Sequence, residues 1–154
     1  MKNLQDIIQE KLQIGSKTKV SSHKYQPKDR DELKELVDNL IKERGNAANL
    51  NDIDTSEITD MSYLFDRLDA HNIDISQWNV SNVINMEGIF NGCVNFNSDL
   101  SKWDVSKVTD MHHMFYGCEE FNSDLSNWNV SKVTDMFNTF KGCTSLKNIP
   151  SWYK

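Results

Sequence analysis

At 154 residues, with 38% hydrophobic and 26% charged side chains, the chain is long enough for one domain with a proper core and a small appendage. That balance argues against a disordered chain, and no stretch approaches the ~20 consecutive apolar residues that membrane insertion by a helix requires. The net charge of −6 is uneven, with ten basic against eight acidic residues through residue 50 and seven against fifteen after it. A nucleic-acid binder would usually show the opposite sign, so nucleic acid is not expected as a partner.

The opening stretch, MKNLQDIIQEKLQIGSKTK, places Leu4, Ile7, Ile8 and Leu12 at helical spacing and predicts a surface helix with one narrow apolar stripe. Its polar interruptions leave no continuous apolar region of a secretory leader, so the expected location of the chain as written is cytoplasmic. A surface or secreted location would require that a leader had been removed. The adjoining GSKTKVSSHKYQPK reads as a linker, with HKY extended just before Pro27.

From Asp29 the pattern sharpens. Asp29 and Glu32 have the spacing of a capping box, and Leu33, Leu36, Val37, Leu40 and Ile41 come after them at i, i+3, i+4, i+7 and i+8, with Gly45 as the stop. So regular an apolar face needs a partner, which predicts that this helix covers the open end of the rest of the chain.

From about residue 50 the sequence repeats every 25 residues. Trp78, Trp103 and Trp128 form one ladder; Val80, Val105 and Val130 form another, as do Ser81, Ser106 and Ser131. Met61, Met86, Met111 and Met136 keep the same interval, and so do Phe65, Phe90, Phe115 and Phe140. Cys93, Cys118 and Cys143 complete the set, with Leu68 one period earlier. Residues 100–124 and 125–149 share 13 of 25 positions, which chance does not produce. The expected organisation is an N-terminal helical region and cap over 1–49, four repeats over 50–74, 75–99, 100–124 and 125–149, and a C-terminal end over 150–154. The first copy is degenerate, with Ile53 at the Trp position, Thr55 at the Val position and Arg67-Leu68 at Gly-Cys, as terminal repeats are expected to be.

Within a copy, Leu100, Trp103, Val105 and Val108 suggest a short strand or extended turn. Thr109 or Asp110 then offers an N-cap, and Met111, Met114, Phe115 and Cys118 have the spacing of a two-turn helix stopped near Gly117. Two turns are too few for a stable isolated helix. Stacking supplies the missing apolar partner, so the expected fold class is an α/β repeat solenoid: a stack of short strand plus short helix units under an N-terminal helical cap.

The wording W-D-V-S-x-V-T-D-M-x-x-M-F-x-G-C and then F-N-x-D-L-S, over residues 50–149, resembles the BspA-like leucine-rich repeats, a bacterial surface protein repeat of about 26 residues. The upstream stretch from Asp31 to Phe65 is similar to the helical cap and first repeat of short members. The resemblance implies a leucine-rich-repeat-like fold and a role in contacts with other proteins in a bacterium or phage. Larger members are secreted adhesins; here signal peptide, cell-wall anchor and lipobox are missing, which points to a short unsecreted member.

Chemistry finds few footholds. Asn97, Asp99 and Ser101 alternate like the start of an EF-hand loop, but Lys102 and Val108 stand where Gly and Glu belong, so side chains bonding their own turns are expected instead. The adjacent His112 and His113 lack metal-ligand spacing and are expected at the surface. Three cysteines without a C-x-x-C pair read as buried free thiols, not as a disulfide framework or zinc knuckle. No nucleophile elbow, phosphate loop or H-E-x-x-H occurs, so no catalytic, cofactor-binding or metal residue is expected, and no cofactor.

The surface between ladder positions remains. Asn79, Asp104 and Asn129 alternate outward, as do Asn82, Lys107 and Lys132, and these six form the candidate partner-binding face. The expected function is a non-enzymatic protein-protein interaction module engaging a protein partner. The alternatives are an acidic inhibitor or mimic acting on a nucleic-acid-processing enzyme, motivated by the acidic repeats, and a surface adhesin fragment.

Overall fold

In a computed structural model, residues 22–69 and 71–154 are described, together with Leu4 and Ile8. Of the stripe expected near the N-terminus, Leu4 is exposed and Ile8 is buried, while Ile7 and Leu12 lie outside the described residues. Tyr25, just before Pro27, pairs with Ile53 in a parallel bridge, but His23 and Lys24 lie in a bend, so of the HKY segment expected to be extended only Tyr25 is bridged.

Helix α1, Arg30–Arg44, forms where the capping signals put it. The Asp29 carboxylate accepts from the Glu32 amide, and Glu32 reaches back to the amide of Lys28, one residue before the usual capping-box partner. Gly45, at φ 89°, donates its N–H to the Ile41 carbonyl and ends the helix. Leu33, Leu36, Val37, Leu40 and Ile41 are all buried in one core cluster with residues of the repeats. Both helix ends are tied to the first repeat: Arg30 Nε donates to the Ser62 carbonyl, and Arg44 makes a bidentate pair with Asp52 at 2.9 Å on each arm.

Beyond α1 the chain winds in 25-residue coils, here numbered 1 to 4 over 50–74, 75–99, 100–124 and 125–149. Asp60, Asn85, Asp110 and Asp135 pair in succession through parallel bridges. The expected α/β repeat solenoid is overturned. Among the described residues α1 is the one bounded helix, and there is no sheet, only isolated single-residue bridges.

The reason lies in the backbone of the segment expected to be helical. His113 sits at φ 54° and Gly117 at φ 72°, as do their equivalents Tyr63, Gly88 and Asn138, and Arg67, Gly92 and Gly142, all in the left-handed region. A left-handed residue in mid-segment breaks a right-handed helix, because Cβ crowds the next carbonyl. The amides then alternate. Those of Met114, Tyr116 and Cys118 close i→i+3 turns on Met111, His113 and Phe115, while those of Met111, His113, Phe115 and Gly117 cross to the carbonyls of Asp135, Phe137, Thr139 and Lys141. Every second N–H thus serves the coil and every other one serves the stack, which satisfies the backbone without helix or sheet. The segment expected as a strand is likewise made of turns, Leu100 to Trp103 and Val105 to Val108.

The buried periodicity survives this change of backbone. Met111, Met114, Phe115 and Cys118 are all fully buried, because a chain of turns also carries its first, fourth, fifth and eighth side chains inward. Phe65, Phe90, Phe115 and Phe140 stack at 5.4 to 5.6 Å with interplanar angles of 4° to 14°. Phe96 and Phe121 form a second file behind them, each about 4 Å from the first. Gly88 shows why one position drifts: a Cβ there would lie 2.3 Å from Tyr63 Cε1, since the Tyr63 ring covers it.

Candidate docking face

The coil corners are built by acidic and amide side chains. At 25-residue intervals three Asp or Asn residues accept, through one side-chain oxygen, the amide two positions on, the first of each three standing just before the coil that holds the other two: Asn49, Asp54 and Asp60; Asp74, Asn79 and Asn85; Asp99, Asp104 and Asp110; Asp124, Asn129 and Asp135. This is the Asx turn, in which the side chain stands in for a backbone carbonyl. Asp110, expected as a helix N-cap, caps such a turn through His112 N–H at 2.8 Å. Asp99 spends an oxygen on the Ser101 amide, and Asn97 accepts from the Asn122 amide of the next coil, so both serve the backbone.

The six residues of the sequence-based face are all exposed. Asn79, Asp104 and Asn129 are three of the Asx residues, bonding Ser81, Ser106 and Ser131. The Ser106 hydroxyl and amide hold the Asp104 carboxyl below its usual range. Asn82 donates to the Ser56 carbonyl and accepts from Lys107 Nζ at 2.9 Å, which brings those two together along the stack. Lys132 continues that row.

A second face stands out chemically. It is made by the residues one, two and five positions after each ladder methionine. Tyr63 donates its hydroxyl to Glu87, and Asn91 donates to Asp66. Further along, polar pairs give way to rings. His112 and His113 meet edge to face at 4.0 Å, His113 meets Tyr116 at 5.0 Å, and Phe137 lies 5.5 Å from His112 and 5.9 Å from His113. Lys141 Nζ sits 5.9 Å from the Tyr116 ring centroid. Phe137 is 63% exposed and Tyr116 37%. The only sequence signal for this face was the drift of His112 to Phe137 and of Tyr116 to Lys141 between copies.

The imidazoles are held unequally. His112 Nδ1 lies 3.3 Å from the Asp135 carboxylate, whose acidity is raised first by the Phe137 N–H and then by His112. His113 is pushed toward its neutral form by burial and then by the charge of His112. Asn138 Nδ2 stands 3.1 Å from His113 Nε2, a donation that needs the unprotonated nitrogen. Among the described residues no three His, Cys, Asp or Glu side chains converge as metal ligands would.

The interior ladders serve packing. The thiols of Cys93, Cys118 and Cys143 donate to the carbonyls of Phe65, Phe90 and Phe115, one coil back. Burial raises all three thiols, Cys93 to about 12 and Cys143 to about 11, so they remain protonated donors. The indoles of Trp78, Trp103 and Trp128 donate to Leu50, Ile75 and Leu100. Trp152 completes that series on the Leu125 carbonyl and stacks on Trp128 at 6.1 Å, although it comes 24 residues after Trp128 and so falls outside the strict period.

Residues 32–152 match the family described as "Mycoplasma protein of unknown function, DUF285". The chain belongs to this family. No curated protein and no solved structure matches it. No helix among the described residues is long and apolar enough to cross a membrane.

Proposed function

We propose that this DUF285 chain is a non-enzymatic protein-protein interaction module that docks its partner on the face formed by His112, His113, Tyr116 and Phe137. The observation that carries the reading is the exposure of Phe137 and Tyr116 against two contacting imidazoles, which joins rings of two successive coils into one aromatic cluster at the surface. Aromatic side chains dominate binding energy at protein interfaces, because each brings a large apolar area at little entropic cost. The likeness to BspA-like leucine-rich repeats supports the same reading. Three unpaired cysteines suit the reducing cytoplasm, where we place the protein.

The acidic-mimic alternative has less behind it. Asp54, Asp60, Asp74, Asp99, Asp104, Asp110 and Asp124 each already commit an oxygen to an Asx turn, which ties them to fold maintenance.

Affinity capture from the native host, comparing the natural chain with a Phe137→Ser/Tyr116→Ser variant, tests the proposal. A partner retained by the natural chain and depleted about tenfold or more by the variant is the expected result, the loss of one or two interface anchors. Recovery of no partner, or of the same partners by both chains, would overturn it.

A further inference from the structure

The last coil ends in a row of hydrogen-bond donors. In coil 3 the amides of Met111, His113, Phe115 and Gly117 donate to coil 4 at 2.8 to 3.0 Å. Their equivalents in coil 4, the amides of Met136, Asn138, Phe140 and Gly142, meet no acceptor among the described residues. The neighbouring carbonyls are already engaged: those of Asp135, Phe137, Thr139 and Lys141 accept from coil 3, and those of Met136, Asn138 and Phe140 close turns within coil 4. From Met136 to Gly142 this row therefore donates and does not accept, and the nearest open acceptor is the Thr134 carbonyl, whose equivalents Thr59, Ile84 and Thr109 take an amide from the next coil. Two such rows laid on each other would leave most of their amides unmet, which weighs against tail-to-tail pairing of two copies.

Charge narrows the occupant further. Residues 50–124 carry fourteen acidic and three basic side chains, whereas residues 125–154 carry Asp135 alone against Lys132, Lys141, Lys147 and Lys154. A basic end on an acidic stack repels a basic segment and attracts an acidic one. Val133 and Met136 are only partly covered here, in contrast to Val108 and Met111, so apolar surface is also open to an occupant.

We infer that this edge is a docking site for an extended acidic segment of a partner protein. Alternate carbonyls of that segment accept from Met136, Asn138, Phe140 and Gly142, and its carboxylates meet Lys132 and Lys141. Main-chain bonds supply affinity and charge supplies selection, as in strand addition to a sheet edge. The site borders the aromatic face, whose Asn138 and Lys141 it uses through an amide and a charge, but it needs neither the Phe137 nor the Tyr116 ring.

A probe exists within the chain. A synthetic peptide of residues 100–124 contains the carbonyls that coil 2 recognises and five acidic against two basic side chains; one of residues 125–149 has the same backbone pattern with one acidic against three basic. Amide hydrogen exchange, read by NMR on the full chain, is the measurement. The first peptide should slow Met136, Asn138, Phe140 and Gly142 by about tenfold or more. That protection should weaken as salt rises from about 50 to about 300 mM. A Lys132→Glu/Lys141→Glu chain should lose the effect while Met111, His113, Phe115 and Gly117 keep their slow exchange, which shows that the stack is intact. Phe137→Ser, which removes the aromatic face, should leave the protection in place. Unchanged exchange with the acidic peptide at millimolar concentration, equal protection by the basic peptide, or concentration-dependent protection of these amides by the chain alone would each overturn the inference.

Discussion

Coil 3 and coil 4 share 13 of 25 residues, yet the same letters live in different surroundings. Val108, Met111 and Cys118 are fully buried, whereas Val133, Met136 and Cys143 are only partly so. Coil 3 has a coil on each side. Coil 4 has one, and on its far side Trp152 and Tyr153 pack against Trp128 and Phe140. At the opposite end, α1 lays five apolar side chains into the common core and is fastened to Ser62 and Asp52. Burial in this fold is a property of position in the stack, so the value of a residue depends on the neighbours that cover it.

The largest expected effect sharpens that contrast directly. Met111→Ala should cost about 2–5 kcal/mol in denaturant unfolding, and Met136→Ala less by about 1 kcal/mol or more, since a partly exposed site leaves a smaller cavity. Equal losses would mean that a neighbouring coil does not set what these methionines contribute. Next, Asp52→Asn should cost about 1–2 kcal/mol by removing the bidentate partner of Arg44, discounted because the pair is partly solvated. The same change at Asp31, an exposed neighbour of Arg30, should be near neutral by the same assay.

A smaller effect concerns thiol chemistry. With iodoacetamide at about pH 8, Cys143 should react before Cys93 and Cys118 in the native chain, because it is less covered and its thiol is raised less. Simultaneous labelling of all three would mean that the stack opens as a unit, not from its last coil.

The smallest effect is set by pH. The Asx carboxylates of Asp74, Asp99 and Asp104 are held below the ordinary 3.8 chiefly by Ser76, Ser101 and Ser106. A carboxyl depressed in the fold contributes stability that is present above about pH 4 and lost as pH falls through the folded value. His113, depressed by burial, adds a shallow loss as pH drops below its ordinary 6.5, because the unfolded chain takes up the proton first. Unfolding midpoints measured from pH 7 to pH 3 should decline over both windows, and His113→Asn should remove the upper one.

Helix α1 was legible because capping residues, apolar spacing and a stop glycine agree on one local answer. The ladders were legible too, since Trp, Met, Phe and Cys at a fixed interval leave no other use for them than a shared core. The backbone carrying them was not. Turns with left-handed residues present the same inward pattern as a two-turn helix, and non-glycine residues at His113, Asn138, Tyr63 and Arg67 hid the positive φ that Gly88 and Gly92 hint at. Trp152 was missed because its interval is 24, and the aromatic face because its rings come from different copies.

By itself, then, the sequence determined the period, the inward set and the capping helix, each of which stems from side-chain chemistry repeated along one chain. Only the tertiary structure decided how the backbone satisfies itself. An amide at Met111 can close a local helix or reach the carbonyl of Asp135, 24 residues on, and that choice depends on a neighbouring coil that local sequence does not describe.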